Sequence, residues 1–175
     1  MIQAVSISTT AGFATTDFSV WPTFLPIMLI FSSFIGGCAS STGGGLKVVR
    51  VCLLFLQGKR EVDRLIHPKA VYSVKFGDRA MPDRVVEAVW GFFSAYAVVF
   101  VVIMIGLIAT GLDNLSAFTA TEAMLNNLGP GLGSVAANYA DVTDAGKWLL
   151  VVAMVFGRLE VFSLLVLFSP TFWRS

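Results

Sequence analysis

The sequence contains one histidine, His67, two cysteines, Cys38 and Cys52, and only 13 % charged residues. A lone imidazole, with neither cysteine at CxxC or other metal-ligand spacing, makes a poor ligand set. Each cysteine sits in an apolar stretch, so both are expected to be small buried hydrophobes, with no disulfide framework. No Ser/His/Asp arrangement or pair of catalytic carboxylates is apparent, so neither an enzyme nor a covalent cofactor is expected. A phosphate loop fails as well. Three glycines precede Lys47, but Leu46 separates Gly45 from the lysine, and Val48 stands where Ser or Thr is needed. Residues 1–8 lack the basic n-region of a secretory leader.

What the chain does have is apolar length. Hydrophobic residues make up 56 % and the mean hydropathy is +0.80, whereas an average soluble domain carries about 25 % charge. A membrane protein is the class this implies. The net charge of +1 says little, because the charges are unevenly placed.

The most informative stretch is Asn126-Asn127-Leu128-Gly129-Pro130-Gly131-Leu132-Gly133. Glycine frees the backbone and leaves its carbonyls uncovered. Inside lipid such backbone is tolerated only within protein or along a water-filled path. Before it, residues 115–126 are helix-compatible, with Asp113 and Ser116 as possible N-caps. That helix is about 18 Å long, roughly half a bilayer. A half-helix that stops there brings its partly negative C-terminal end and unpaired carbonyls into the protein, which favours cations. The competing reading is a capped helix followed by an ordinary glycine turn, preferable in a soluble protein. A second such stretch opens the chain. Residues 2–8 resemble the tail of a helix and lead into Thr9-Thr10-Ala11-Gly12-Phe13. Aligning Gly12 with Gly129 gives two weakly similar units, each a helix end, a filter-like turn and a long apolar stretch; alone, residues 9–17 read as a polar capping loop.

Between them, residues 18–57 would make a straight helix of about 60 Å, roughly twice the hydrocarbon thickness. The break falls at Gly36-Gly37-Cys38-Ala39-Ser40-Ser41-Thr42-Gly43-Gly44-Gly45. Helix is expected over 21–35, with Pro22 in the first turn and Pro26 a local perturbation, and again over 46–57. Residues 59–84 are the most polar, with basic enrichment that marks a cytoplasmic connector. Within it His67-Pro68 reads as a helix stop, and residues 70–76 have strand character with a turn at Gly77-Asp78. Residues 88–112 carry no charge and form the surest span, entered from Pro82 with Asp83 and Glu87 at its favourable end. Small residues Gly91, Ala95 and Gly106 allow helices to approach. Residues 136–147 form an outer return, and 148–168 a last span holding Arg158 and Glu160 about halfway. A mid-membrane charge faces a partner or water, and residues two apart point to different faces. Arg158 so placed marks a functional position, and the competing reading is a structural pair with Glu122 or Glu160.

Thr9-Thr10-Ala11-Gly12-Phe13 and Asn127-Leu128-Gly129-Pro130-Gly131, each ahead of a long apolar helix, resemble the third and fourth pore loops of the Trk/Ktr/HKT potassium-transporter superfamily. Gly157-Arg158-Leu159-Glu160 and Phe168-Ser169-Pro170-Thr171-Phe172-Trp173-Arg174 resemble its bacterial Trk branch. The resemblance covers the whole chain and implies the C-terminal part of an all-α membrane protein of helix–pore-loop–helix repeats with one broken helix. Residues 1–58 would hold the third filter and the broken helix, 59–84 the connector and 85–175 the fourth repeat. Potassium is then the permeant ligand, held by filter carbonyls only, with the 36–45 loop and Arg158 gating beneath. Gly12 and Gly129 favour potassium over sodium, while Pro130 and an asparagine at 127 in place of threonine depart from the pattern. The resemblance also implies a homodimer in the bacterial inner membrane, multi-pass, with a cytoplasmic C-terminus and a nucleotide-binding regulatory subunit; no nucleic acid is expected. The rival functions are an ion-coupled secondary transporter and a non-transporting structural or regulatory membrane subunit.

Overall fold

The computed structural model describes residues 2–13, 21–22, 24–37, 44–68, 70, 72–77, 79–159, 166 and 173. Among them the chain forms helices α1 (Ile2–Ser8), α2 (Phe24–Ile35), α3 (Val48–Ile66), α4 (Asp83–Ala109), α5 (Asn114–Leu125) and α6 (Asp144–Arg158). A short hairpin of β1 (Lys75–Phe76) and β2 (Arg79–Ala80) and a 3-10 turn, Gly133–Val135, complete it.

The longest helix, α4, has 27 residues and a mean hydropathy of 2.6 over its most apolar window. At about 40 Å it exceeds the hydrocarbon thickness of about 30 Å. Its outer face is apolar and exposed at Val98, Val101, Val102 and Ile105, the surface a helix presents to lipid. Pro82 is its N-cap rather than its first helical residue.

The half-length helix α5 is the centre of the packing. Asp113 caps it, its side chain accepting from the Ser116 N–H at 3.1 Å. Bonds from Ser116, side chain first and backbone second, hold the Asp113 carboxyl below the usual carboxylate range. Every residue from 119 to 125 is buried. Ala117, Ala120 and Ala123 let neighbours approach closely. Its hydroxyls are satisfied within the helix, Thr119 donating to the Leu115 carbonyl at 2.9 Å and Thr121 to that of Ala117 at 2.7 Å. Helices α2, α4 and α6 pack around it. Phe34 and Phe118 close on Phe100 at 5.9 and 5.4 Å between ring centroids, and Gly106 seats Leu149 of α6 on α4.

Three expectations are corrected. Helix α3 does not stop near residue 57 but runs through Gly58 to Ile66, so the 58/59 boundary falls inside it. Gln57 donates to Glu61 at 2.8 Å and Arg60 bridges to Asp83 at 2.6 Å, tying α3 to the start of α4. A single glycine costs a helix only about 1 kcal/mol, too little to end it. The helix ends where His67 precedes Pro68, as expected of a residue pushed out of the helical region. Cys52 is exposed on α3 rather than buried, and free; Cys38 lies outside the described residues. Helix α6 begins at Asp144 rather than Trp148 because Thr143 caps it, accepting from the Gly146 N–H. Arg158 therefore occupies the last turn of α6, where a cation complements the helix's negative end. Glu160 lies outside the described residues.

Two smaller points follow from local chemistry. Pro26 falls in the first turn of α2, where a missing N–H breaks no bond. Among the described residues strand structure is confined to Lys75–Phe76 paired with Arg79–Ala80, and Val74 packs with Leu53, Val86 and Val89.

Candidate functional site: two glycine turns and the neck of a loop

Helices α1 and α5 end in the same way. After α1, Thr10 N–H bonds the Ile7 carbonyl at 3.1 Å and Ala11 N–H that of Ser6 at 2.8 Å; after α5, Asn127 bonds Met124 at 3.1 Å and Leu128 bonds Ala123 at 2.7 Å. Both are Schellman endings, in which a left-handed residue turns the chain off the helix. The left-handed residues also match, Thr10 (φ 56°) and Gly12 (φ 76°) with Asn127 (φ 53°) and Gly129 (φ 103°). Asparagine visits this region readily, which accounts for Asn127 at a place where the first turn has threonine.

The two turns touch. A Cβ on Gly12 would strike the Leu128 carbonyl oxygen, with Pro130 Cδ at 3.9 Å. The far arm of the second turn is tied back to α5. Thr119 Oγ1 accepts from the Leu132 N–H at 3.0 Å and Ser116 Oγ from that of Ser134 at 2.9 Å, while Gly131 sits 2.7 Å (as a built Cβ) from Val135 Cγ2. The Tyr139 hydroxyl donates to the Gly129 carbonyl at 2.7 Å. Burial, and then the Glu122 charge, push that hydroxyl's pKa up, so it remains a donor. Of the other expected filter residues, Thr9 donates to the Val5 carbonyl at 2.7 Å and Phe13 is exposed.

The broken helix is pinched at its neck. Gly36 (φ 65°) and Gly45 (φ 82°) are both left-handed, the Gly44 carbonyl lies 2.6 Å from a Cβ built on Gly36, and Leu46 N–H bonds the Phe34 carbonyl at 2.9 Å. Gly37 carries the same closure, its carbonyl accepting from Val48 at 3.4 Å. A Cβ on Gly44 would overlap the Asn126 carbonyl, and one on Gly157 the Leu125 carbonyl. Two glycines therefore press on the last carbonyls of α5, the groups a helix leaves without intrahelical partners. Arg158 follows Gly157 directly. Cys38, Ala39, Ser40, Ser41, Thr42 and Gly43, also expected in the loop, lie outside the described residues.

Sequence reasoning missed a buried cluster behind these turns: Glu122, Asn126, Ser33 and Tyr96. The available signal was Glu122, the one acidic residue inside α5, since a carboxylate at membrane depth needs partners.

A family model for cation transport proteins, TrkH, matches residues 1–175. The chain belongs to the TrkH family. Across its length this TrkH-family chain is 68 % identical to the Trk system potassium uptake protein TrkH of Vibrio parahaemolyticus and, over 173 residues, 63 % identical to that of Escherichia coli K12. It covers 36 % of each relative, aligning 100 % and 99 % of its own residues. The crystal structure of the potassium transporter TrkH from Vibrio parahaemolyticus matches with a TM-score of 0.91 at 69 % identity, covering 98 % of this chain and 37 % of that one. The mostly helical fold of this TrkH-family chain agrees with that of the solved transporter.

Proposed function

We propose that the chain supplies two of the filter turns and the gate of a potassium-uptake protein. The carrying observation is the matched pair of turns, left-handed at Thr10 and Gly12 and at Asn127 and Gly129, with Gly12 against the Leu128 carbonyl. In a strand successive residues face opposite sides. Making every second residue left-handed breaks that alternation and lets several carbonyls converge on one ion in place of its water shell. The half-helix ends α1 and α5 add their negative poles. Thr9 to Phe13 and Asn127 to Gly131 form these filter turns, and the selective ligand is potassium, the ion in the relatives' names.

The 36–45 loop is the gate. Its neck lies directly on the end of α5, through Gly44 and Asn126, so a loop rising from it sits at the inner mouth of the filter. Arg158, one residue after the glycine that meets Leu125, places a fixed positive charge at the same level and repels entering cations. Residues 67–82 and the polar end of α3 face the cytoplasm, as does the C-terminus. The inner-membrane setting, the homodimer and the docking of a nucleotide-binding regulatory subunit on this face are carried by the family resemblance.

The test uses a chimera in which these 175 residues replace the matching stretch of the Vibrio parahaemolyticus relative, reconstituted in planar bilayers. Potassium and sodium reversal potentials are recorded with Arg158 and with Arg158→Ala. A potassium-selective current that rises on the order of tenfold in the mutant, as expected for removing about 1.4 kcal/mol of repulsion, supports pore and gate together. An unchanged selective current overturns the arginine barrier. Accumulation against a gradient only when a second ion is supplied overturns the pore.

A smaller effect is expected at the rim. Tyr139→Phe removes one donor from the Gly129 carbonyl. The potassium-to-sodium permeability ratio of the same chimera should fall roughly threefold, the scale of one neutral hydrogen bond.

A further inference from the structure

Behind the filter turns lies a polar cluster that carbonyl coordination does not use. The Asn126 amide is held on both sides. Its Nδ2 donates to Glu122 Oε1 at 2.8 Å and to Ser33 Oγ at 3.0 Å, and its Oδ1 accepts from the Tyr96 hydroxyl at 2.9 Å. Ser33 Oγ also hydrogen-bonds Glu122 Oε1 and the Ile30 carbonyl. Three side chains, one each from α2, α4 and α5, thus converge on one amide. Glu122 Oε1 takes both available donors, while Oε2 is buried with no hydrogen-bond partner among the described residues.

The cluster's position gives it consequence. Ser33 stands three residues before Gly36, and the Gly45 Cβ position lies 2.9 Å from the Ser33 carbonyl. Asn126 immediately precedes the left-handed Asn127, and its own carbonyl meets Gly44. The joint therefore links the helix that carries the loop to the helix that carries the filter. Its burial decides what kind of role it has. In the proposed pore the facing wall comes from chain beyond this third of the relatives, so a side chain lining the path would be exposed here; Glu122, Asn126 and Ser33 are each 0 % exposed. An acid in that position orients protein groups rather than touching the ion.

We infer that Glu122 is a positioning residue that locks the α2–α5 joint by accepting from Ser33 and Asn126, so that filter selectivity and loop position are set together. The inference rests on the filter and gate reading above. A carboxyl group does this well because a single oxygen, Oε1, accepts from Asn126 and Ser33 at once. A glutamine does it adequately, since its carbonyl oxygen can take both donors and its amide nitrogen can occupy the place of Oε2.

The chimera tests this with Glu122→Ala, Glu122→Gln, Ser33→Ala and the Ser33→Ala/Glu122→Ala double variant. Each is first checked for insertion and monodisperse elution. Glu122→Ala should lower the potassium-to-sodium permeability ratio and raise total current, each on the order of tenfold, as when a buried donor set loses its shared acceptor. Ser33→Ala should change both by roughly threefold, and the double variant should be no worse than Glu122→Ala, because members of one network are non-additive. Glu122→Gln should stay within about twofold of the parent, since it keeps the acceptor. A glutamine variant as impaired as alanine, fully additive effects, or an unchanged Glu122→Ala would each overturn the inference. Should Glu122→Ala fail to insert, Tyr96→Phe removes only one hydroxyl from the same amide. A roughly two- to threefold fall in the ratio then supports the joint, and no fall overturns it. Gly12→Ala separates the two readings: if it leaves the reversal potential unmoved, the filter itself is wrong, whereas a shift there with none in the Glu122 series defeats only the joint.

Discussion

Gly12→Ala should abolish most potassium selectivity while leaving the protein inserted in the membrane. Two costs coincide at this residue. Its φ of 76° lies in the left-handed region, where an L-residue pays roughly 1–2 kcal/mol. Its added methyl would also overlap the Leu128 carbonyl of the other turn. Neither turn can relieve the clash alone, because each is fixed to its helix by a Schellman ending. The Leu128 carbonyl must move, and its displacement disturbs the set of carbonyls that takes the place of the ion's water shell. In the bilayer chimera the potassium-to-sodium permeability ratio is expected to fall by at least about tenfold, corresponding to about 1.4 kcal/mol of discrimination. Gly77→Ala is the control: it is left-handed at φ 61° with nothing within 4 Å of the new methyl, so it carries the backbone cost without the contact and should leave selectivity intact. An unchanged ratio in Gly12→Ala would remove the case that these turns form one filter.

The second large effect concerns the gate. Gly44→Ala acts through a direct contact. Its methyl would overlap the Asn126 carbonyl, and residues 119–125 of α5 are all buried, so the loop neck yields rather than the helix. Moving the neck off the filter's inner end should raise steady-state potassium current on the order of tenfold, with the reversal potential still near that of potassium, if closing is favoured by only about 1–2 kcal/mol. The rubidium flux into proteoliposomes gives an independent check. Current that is unchanged or lower in a properly inserted variant would mean the loop is scaffold rather than gate.

Much of this arrangement is legible along the chain because it follows from local chemistry. The uninterrupted apolar run of α4 requires a span, and the twelve residues of α5 after Asp113 are too few to make one. Glycine runs break helices wherever they lie, and His67-Pro68 ends α3 where expected. Other boundaries escaped for equally physical reasons. The extension of α3 past Gly58 depends on Arg60 reaching Asp83, a partner 23 positions away, which no window of sequence reveals. The start of α6 depended on Thr143 acting as a cap, a role any threonine in a polar return could hold. Glu122 was visible as a lone acid, but its partner Ser33 lies 89 positions earlier.

By itself, then, the sequence determined the long apolar helix α4, the short helix α5, the break between α2 and α3 and the two glycine turns, since backbone propensity and hydropathy act over a few residues at a time. Only the tertiary structure decided that Gly12 meets Leu128, that Gly44 and Gly157 close on the end of α5, and that Ser33, Asn126, Tyr96 and Glu122 share one buried joint. Apart from the Asn126–Glu122 bond within α5, these contacts join residues from about 30 to more than 100 positions apart. They are selected by close packing and by the need of buried polar groups for partners, and both conditions arise only once the helices are together.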